Sequence, residues 1–396
     1  MSRTRRAIQK IFTRSGNPDR FTVSSTSPTA PDPTLSTTRT RMLRADRGAL
    51  LAYVFMLAYA SLNPFFGWRW PEAFVFFAWP KYVIAFDVLL NIAAYAPFGG
   101  MLAALLRQRE RVGAFRVIHD GQIWLLTVAA STGLSFGFEL LQAFLPGRVS
   151  SFVDLLANTA GAGVGAALVL SAPGRLLIGR WRKWRHKYFS ASDVTGWGLI
   201  LLACWIFAQL NPAIPFFEAG HIASPFDAVN ADPYNPLVLL PQAVGITLNV
   251  CGFVLFVALL MHPGRNVMLP VLLLLAAGFI IKVAMAAMML KVPQMIDWMA
   301  PSRVIGLTSG LMLAAYFTRF SFRWRAFCAT LFVFAGGLMA KLTSIYGAFD
   351  ETLRLFNWPH GQLVNFASLT RWMHETWPLV AVIFLAWLFV RHRDPD

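Results

Sequence analysis

From Ala49 onward the chain alternates long apolar runs with short polar connectors. Ten runs can cross a hydrocarbon core about 30 Å thick as helices of about 20 residues. They cover 48–64, 82–106, 121–145, 152–174, 195–217, 236–261, 266–290, 302–319, 326–346 and 374–390. A spanning segment must satisfy its own backbone, so each run is expected to be helical. The predicted fold class is all-α, a polytopic transmembrane bundle. Residues 1–47 hold no apolar run and are rich in Arg, Ser, Thr and Pro. That composition predicts a disordered basic arm. No cleavable signal peptide is visible, because the first apolar run starts only near Ala49.

Three consecutive runs carry polar residues at intervals of three or four, which places them on one helical face. The second run has Asp87, Asn91 and Tyr95, and the third has Ser131, Ser135, Glu139 and Gln142. The fourth has Asp154, Asn158, Gly161 and Gly165. An ionised carboxylate at the bilayer centre costs more than about 2.5 kcal/mol, so Glu139 must be paired, hydrated or protonated. Arg148 is the cation nearest to it in sequence, and Pro146-Gly147 forms a turn able to fold it back. Lys282 is a rival partner. Gly161-x-x-x-Gly165 is read as a helix-packing surface. Asn63-Pro64 and Asn211-Pro212 are read as helix ends, and Asp154 can equally be a first-turn residue complementing the helix dipole.

The chain also echoes itself. "YASLNPFF" (59–66) resembles "FAQLNPAI" (207–214), Asn91 has a counterpart in Asn249, and "SFVDLLAN" (151–158) resembles "QMIDWMAP" (294–301). Each unit would hold four spans, so both copies would insert in the same orientation. The expected division is an arm (1–47), a four-helix domain (48–174), a degenerate second unit (195–319) and two C-terminal spans with a basic tail (326–396). The second unit has lost the Glu139 and Arg148 equivalents and carries Lys282 and Arg303 in comparable regions.

Composition agrees with a membrane protein: of 396 residues, 57% are hydrophobic and 14% charged, with mean hydropathy +0.54. The net charge of +16 is not a nucleic-acid signal, because the basic residues lie between apolar runs. There they act as topology signals and contacts for anionic lipid at the cytoplasmic face. The arm, Arg107 to Arg116, the 175–194 loop, Arg265, the Arg319/Arg323/Arg325 group and the Arg391/Arg393 tail share one side. The positive-inside rule then puts both termini in the cytoplasm and the 146–151 loop outside. Asp87, Asn91, Glu139, Gln142, Asp154 and Asn158 consequently fall in the outer half of the bilayer, walling an outward-facing polar pocket. Cys204, Cys251 and Cys328 lie in apolar runs without metal or redox spacing. The seven histidines form no metal motif. No metal or cofactor is expected.

"FDVLLNIAAYAPFGGMLAALL" followed by "SFGFELLQAFLPGRVSSFVDLLANTAGAGVGAAL" resembles the VanZ-like family of bacterial membrane proteins over residues 50–174. The shared pattern is carried by Asn91, Pro97, Gly99, Glu139, Gln142, Pro146, Gly147, Arg148, Ser151, Asp154, Asn158 and Gly161. Many members have a His or Lys beside the aspartate of the second span, where this chain has "AFDVLLN". The resemblance implies a protein of the bacterial inner membrane and cell envelope. The founding member is associated with low-level teicoplanin resistance, and the activity behind that effect is not established.

Three functions compete. In the first, Arg148 clamps a phosphate or carboxylate of an envelope lipid or lipid-linked glycan, with Asp87, Asn91, Tyr95, Glu139, Gln142, Ser151, Asp154 and Asn158 around it. In the second, Glu139 and Asp154 act as acid and base on lipid-linked envelope material. In the third, the parallel repeats form a flippase or transporter. The sequence names neither the ligand nor the oligomeric state.

Overall fold

The computed structural model describes residues 33–71, 83–110, 119–146, 148, 150–190, 192–217, 236–290, 300–343 and 362–391. The chain divides into two units, residues 1–39 and 40–396. Only the backbone of a helix start, from Pro33, is described in the first. Eleven helices occur among the described residues: α1 Pro33–Leu62, α2 Ala85–Glu110, α3 Asp120–Gln142, α4 Phe152–Leu170, α5 Ala172–Tyr188, α6 Asp193–Ala208, α7 Pro236–Leu260, α8 Met268–Met289, α9 Pro301–Phe317, α10 Phe322–Thr343 and α11 Gln362–Arg391. No strand occurs among them, and an isolated bridge joins Phe189 to Met261. The all-α class stands.

Each of the ten apolar runs contains a helix, but seven helices are long and apolar enough to cross a membrane: α2, α3, α4, α7, α8, α10 and α11. This is a multi-pass membrane architecture, and on length and composition the ten expected spans become seven among the described residues. The reason is that α6 and α9 have 16 and 17 residues. At about 1.5 Å per residue they fall short of a core about 30 Å thick. In α1 the apolar part covers only residues 48–62 and is shorter still.

Two segments take a different form from the one expected. Helix α1 begins at Pro33, so residues 33–47, placed in the arm, are helical. Residues 175–188, placed in a basic loop, lie within α5, which begins at Ala172. Ser171 makes this possible by ending α4 and starting α5, its Oγ accepting from the Gly174 N–H at 3.2 Å. Within α5, Leu177, Trp181, Trp184 and Tyr188 recur at helical spacing, so the basic residues share the helix with an apolar stripe. The echo at 294–301 lies mostly outside the described residues, and α9 starts at Pro301.

Glycines set the bundle. A Cβ on Gly161 would meet the Ile92 carbonyl and one on Gly165 the Ala96 carbonyl, so α4 lies directly on the backbone of α2. Helices α9 and α7 repeat the device, with Gly306 against Ile246 and Gly310 against Val250. Helix α7 is the most enclosed of the seven spans, and its Val250 to Leu260 stretch is the centre of the main apolar core. Tilted packing of the Trp205 indole on Phe253 (centroids 4.4 Å apart) ties α6 into that core.

Candidate functional site

The polar faces of α2, α3 and α4 meet at the end of the bundle that carries the α3–α4 loop. Three short bonds join them. Asn91 Nδ2 donates to Asp154 Oδ1 at 2.9 Å, and Asn158 Nδ2 donates to Ser135 Oγ at 2.9 Å. The Ser151 N–H donates to Glu139 Oε2, also at 2.9 Å. Ser151 is the N-cap of α4, its Oγ accepting from the Asp154 N–H at 3.4 Å. One serine thereby holds the carboxylate of α3 and the first turn of α4 together. Ser150 adds a bond from Oγ to the Glu139 carbonyl at 2.6 Å.

The cluster has a buried floor and a half-buried rim. Ser135, Glu139, Gln142 and Asn158 are buried, whereas Asn91, Arg148, Ser151 and Asp154 are half-buried. The Tyr95 hydroxyl belongs to the floor. It neighbours Ser135 and Glu139 but, like Asn158 Oδ1, completes no hydrogen bond among the described residues. Asp87 occupies the first turn of α2, half-buried and one turn from Asn91. The lower rungs of the α3 ladder are closed within their own helix, since Ser131 Oγ donates to the Thr127 carbonyl at 2.7 Å.

Arg148 is not the ion-pair partner of Glu139, and neither is Lys282. Arg148 Nη2 donates to the carbonyls of Ala60 (3.2 Å) and Asn63 (2.9 Å). Gln142 Nε2 donates to the Ser61 carbonyl at 3.0 Å. These carbonyls belong to the last turn of α1 and the residue beyond it, where the Asn63-Pro64 step stops the helix and leaves acceptors unpaired. The guanidinium is drawn there because those acceptors have no other partner in an apolar setting. Burial lowers the Arg148 pKa from its ordinary value, opposed by the nearby carboxylates of Glu139 and Asp154. Among the described residues its Nε and Nη1 make no hydrogen bond.

Lys282 does comparable work in the second half. Fully buried on α8, it donates to the carbonyls of Asn211 (2.8 Å) and Ile214 (2.6 Å) just beyond α6. Its ammonium also lies 5.3 Å from the centre of the Phe216 ring.

Asn249, read from the sequence only as the counterpart of Asn91, belongs to a polar group that the sequence reading did not assemble. Asn249, Lys341, His374 and Glu375 line a cleft of about 60 Å³ among α7, α10 and α11. Arg371 Nε donates to Glu375 at 2.8 Å there. The spacing of Arg371, His374 and Glu375 along one face of α11 was the available signal. Among the described residues no group of three or more His, Cys, Asp or Glu is placed to hold a metal ion.

Residues 28–175 match the family model VanZ/LLP1. The matched segment contains the whole polar cluster, including Asn91, Glu139, Arg148, Ser151, Asp154 and Asn158. No curated protein and no solved structure matches the chain.

Proposed function

Because residues 28–175 match the VanZ/LLP1 family model, we propose that this multi-pass protein sits in the bacterial cytoplasmic membrane with both termini inside. In this reading its polar cluster faces outward and binds the head group of an envelope lipid or glycolipid. The observation that carries the proposal is the Asn91–Asp154 bond, made by two half-buried side chains beside the buried Glu139 and Asn158. Asn91 and Asp154 offer neutral and acidic contacts suited to sugar hydroxyls, and Arg148 keeps Nε and Nη1 for a phosphate or carboxylate. An effect on teicoplanin-type glycopeptide sensitivity follows if the bound species is one the antibiotic also meets.

The tandem-repeat reading belongs to the same proposal. In its support, a cation closes each Asn-Pro break, Arg148 at Asn63 and Lys282 at Asn211. Close glycine contacts also join α2 to α4 and α7 to α9. The second unit is then a scaffold that has exchanged Glu139 and Arg148 for a different set of polar groups.

The test is mass spectrometry of envelope lipids and glycolipids from a deletion strain, complemented with wild type or with Asp154→Asn. Binding without chemistry predicts an unchanged lipid profile, altered glycopeptide sensitivity and loss of lipid retention in the variant. A second reading, an enzyme on lipid-linked material, is favoured by Ser151, whose N–H binds the Glu139 carboxylate and whose Oγ accepts from the Asp154 backbone N–H, so that the two acidic residues flank one serine. It predicts that a species absent on deletion stays absent with Asp154→Asn. It also predicts that Glu139→Gln abolishes turnover while lipid remains bound.

A further inference from the structure

Helix α5 is held at both ends by the ends of two apolar spans. It follows Ser171, which closes α4. At its other end the His262 N–H donates to the Tyr188 carbonyl at 3.0 Å and the Ser190 N–H to the Leu260 carbonyl at 3.1 Å. Those partners are the last residue of α7 and its continuation. Because the ends of α4 and α7 hold its two ends and its middle lines a cleft with the end of α2, α5 is placed to lie along a membrane surface instead of across it. Its sequence fits that position. Arg175, Arg180, Arg182, Lys183, Arg185 and Lys187 occur with no acidic residue, while Leu176, Leu177 and Trp181 are 57%, 68% and 55% exposed. Apolar side chains left uncovered on a basic helix at this depth are the mark of an interfacial helix.

Between α5 and the ends of α2 and α4 lies a cleft of about 140 Å³ lined by Arg107, Arg175, Arg182 and Gln108. Three guanidinium groups share it. The carboxylate facing them is Asp120, 3.5 Å from Arg107 and 3.1 Å from Arg175. Arg175 Nη1 is also drawn to the Leu170 carbonyl at 2.7 Å, which fixes it at the C-terminus of α4. Arg107 Nη1 is shielded from solvent and is held by Asp120 Oδ1 as an ion pair at 3.5 Å without a closer hydrogen bond. Gln108 is anchored by donating Nε2 to Asp46 at 3.0 Å. The three guanidinium groups outnumber the carboxylates of Asp120 and Asp46, so the cleft carries surplus positive charge, with an exposed apolar ledge beside it.

We propose that this cleft binds the phosphate of an anionic phospholipid, with Arg107 and Arg182 as its ligands and Leu176, Leu177 and Trp181 seated among the acyl chains. Forked guanidinium donors suit a phosphodiester, and the surface position excludes a deeply buried ligand. The inference is independent of the polar cluster at the opposite end of the bundle and of which side of the membrane α5 faces.

The test uses the full chain in nanodiscs of phosphatidylcholine doped with phosphatidylglycerol, scored by native mass spectrometry of retained lipid. Wild type is expected to retain phosphatidylglycerol over phosphatidylcholine. Arg182→Gln is expected to lower that preference about five-fold, and Arg107→Gln with Arg182→Gln to abolish it. Arg182 is exposed, so its single variant reads the site even if Arg107→Gln misfolds. Lys183→Gln with Lys187→Gln, two α5 charges outside the cleft, is expected to leave most of the preference. Equal losses in both pairs would overturn the site in favour of general polybasic attraction. Displacement of phosphatidylglycerol by excess inorganic phosphate would overturn the lipid in favour of a free anion.

Discussion

Arg148 donates from Nη2 to the carbonyl of Asn63 at 2.9 Å, across 85 residues of chain. With its second bond to Ala60, it closes the open end of α1. Arg148→Ala strands both carbonyls and is expected to cost about 1–3 kcal/mol for each acceptor left buried. Arg148→Lys keeps a charge without the fork and should fall between. Melting of the purified protein in detergent gives the order, and an unchanged Tm in Arg148→Ala would remove the capping role.

Lys282 makes a matching prediction with a built-in control. Lys282→Ala leaves both a cavity and the unpaired carbonyls of Asn211 and Ile214. Lys282→Met restores most of the volume and removes the cost of burying an ammonium. Alanine is therefore expected to lower Tm by more than methionine, and the reverse order would mean that packing is not what the site lacks.

Glycine packing can be tested on two helices of the same bundle. A Cβ at Gly165 would run into the Ala96 carbonyl, whereas Gly133 and Gly137 on α3 have nothing within 4 Å. Gly165→Ala is expected to destabilise by about 1–3 kcal/mol, because backbone cannot step aside. Gly133→Ala is expected to be neutral or to gain up to about 1 kcal/mol from helix propensity. Unfolding titrations on both variants decide it.

The Asn91–Asp154 bond predicts coupling. In a double-mutant cycle with Asn91→Ala and Asp154→Ala, the interaction energy is expected at about 1.5–3 kcal/mol, the range for hydrogen bonds to a charged group. Values near zero would place the two side chains in separate environments and undercut the proposed site. The same variants then enter the lipid assay, which separates a structural pair from a binding one.

Periodicity made much of this legible. The recurrence of Asp87, Asn91 and Tyr95, and of Ser135, Glu139 and Gln142, identified faces that the structure turns towards one another. It did so because a helical face is set by spacing alone. Helix ends at Asn63-Pro64 were legible for the same local reason, proline being unable to continue the ladder. Helix α5 was not read as a helix, since its basic residues resemble a connector until the Leu177, Trp181, Trp184 and Tyr188 stripe is laid on a wheel. The Arg148–Glu139 pair, one of the partnerships the sequence left open, lost to a competition that no local pattern contains. Carbonyls orphaned at the end of α1 and the Ser151 N–H were each the nearer partner.

The sequence by itself determined the helical membrane class, a first part that resembles the VanZ-like family, and a polar face on three successive helices. Apolar run length and polar spacing are local quantities, and a bilayer leaves the backbone little choice. Only the tertiary structure decided which polar group satisfies which. It gave Arg148 to α1, Ser151 to Glu139, Lys282 to the turn after α6, and Arg107, Arg175 and Arg182 to one cleft. Those assignments depend on helices brought together by glycine contacts many residues apart. In a low-dielectric interior the closest unpaired acceptor wins, and proximity there is a property of the fold.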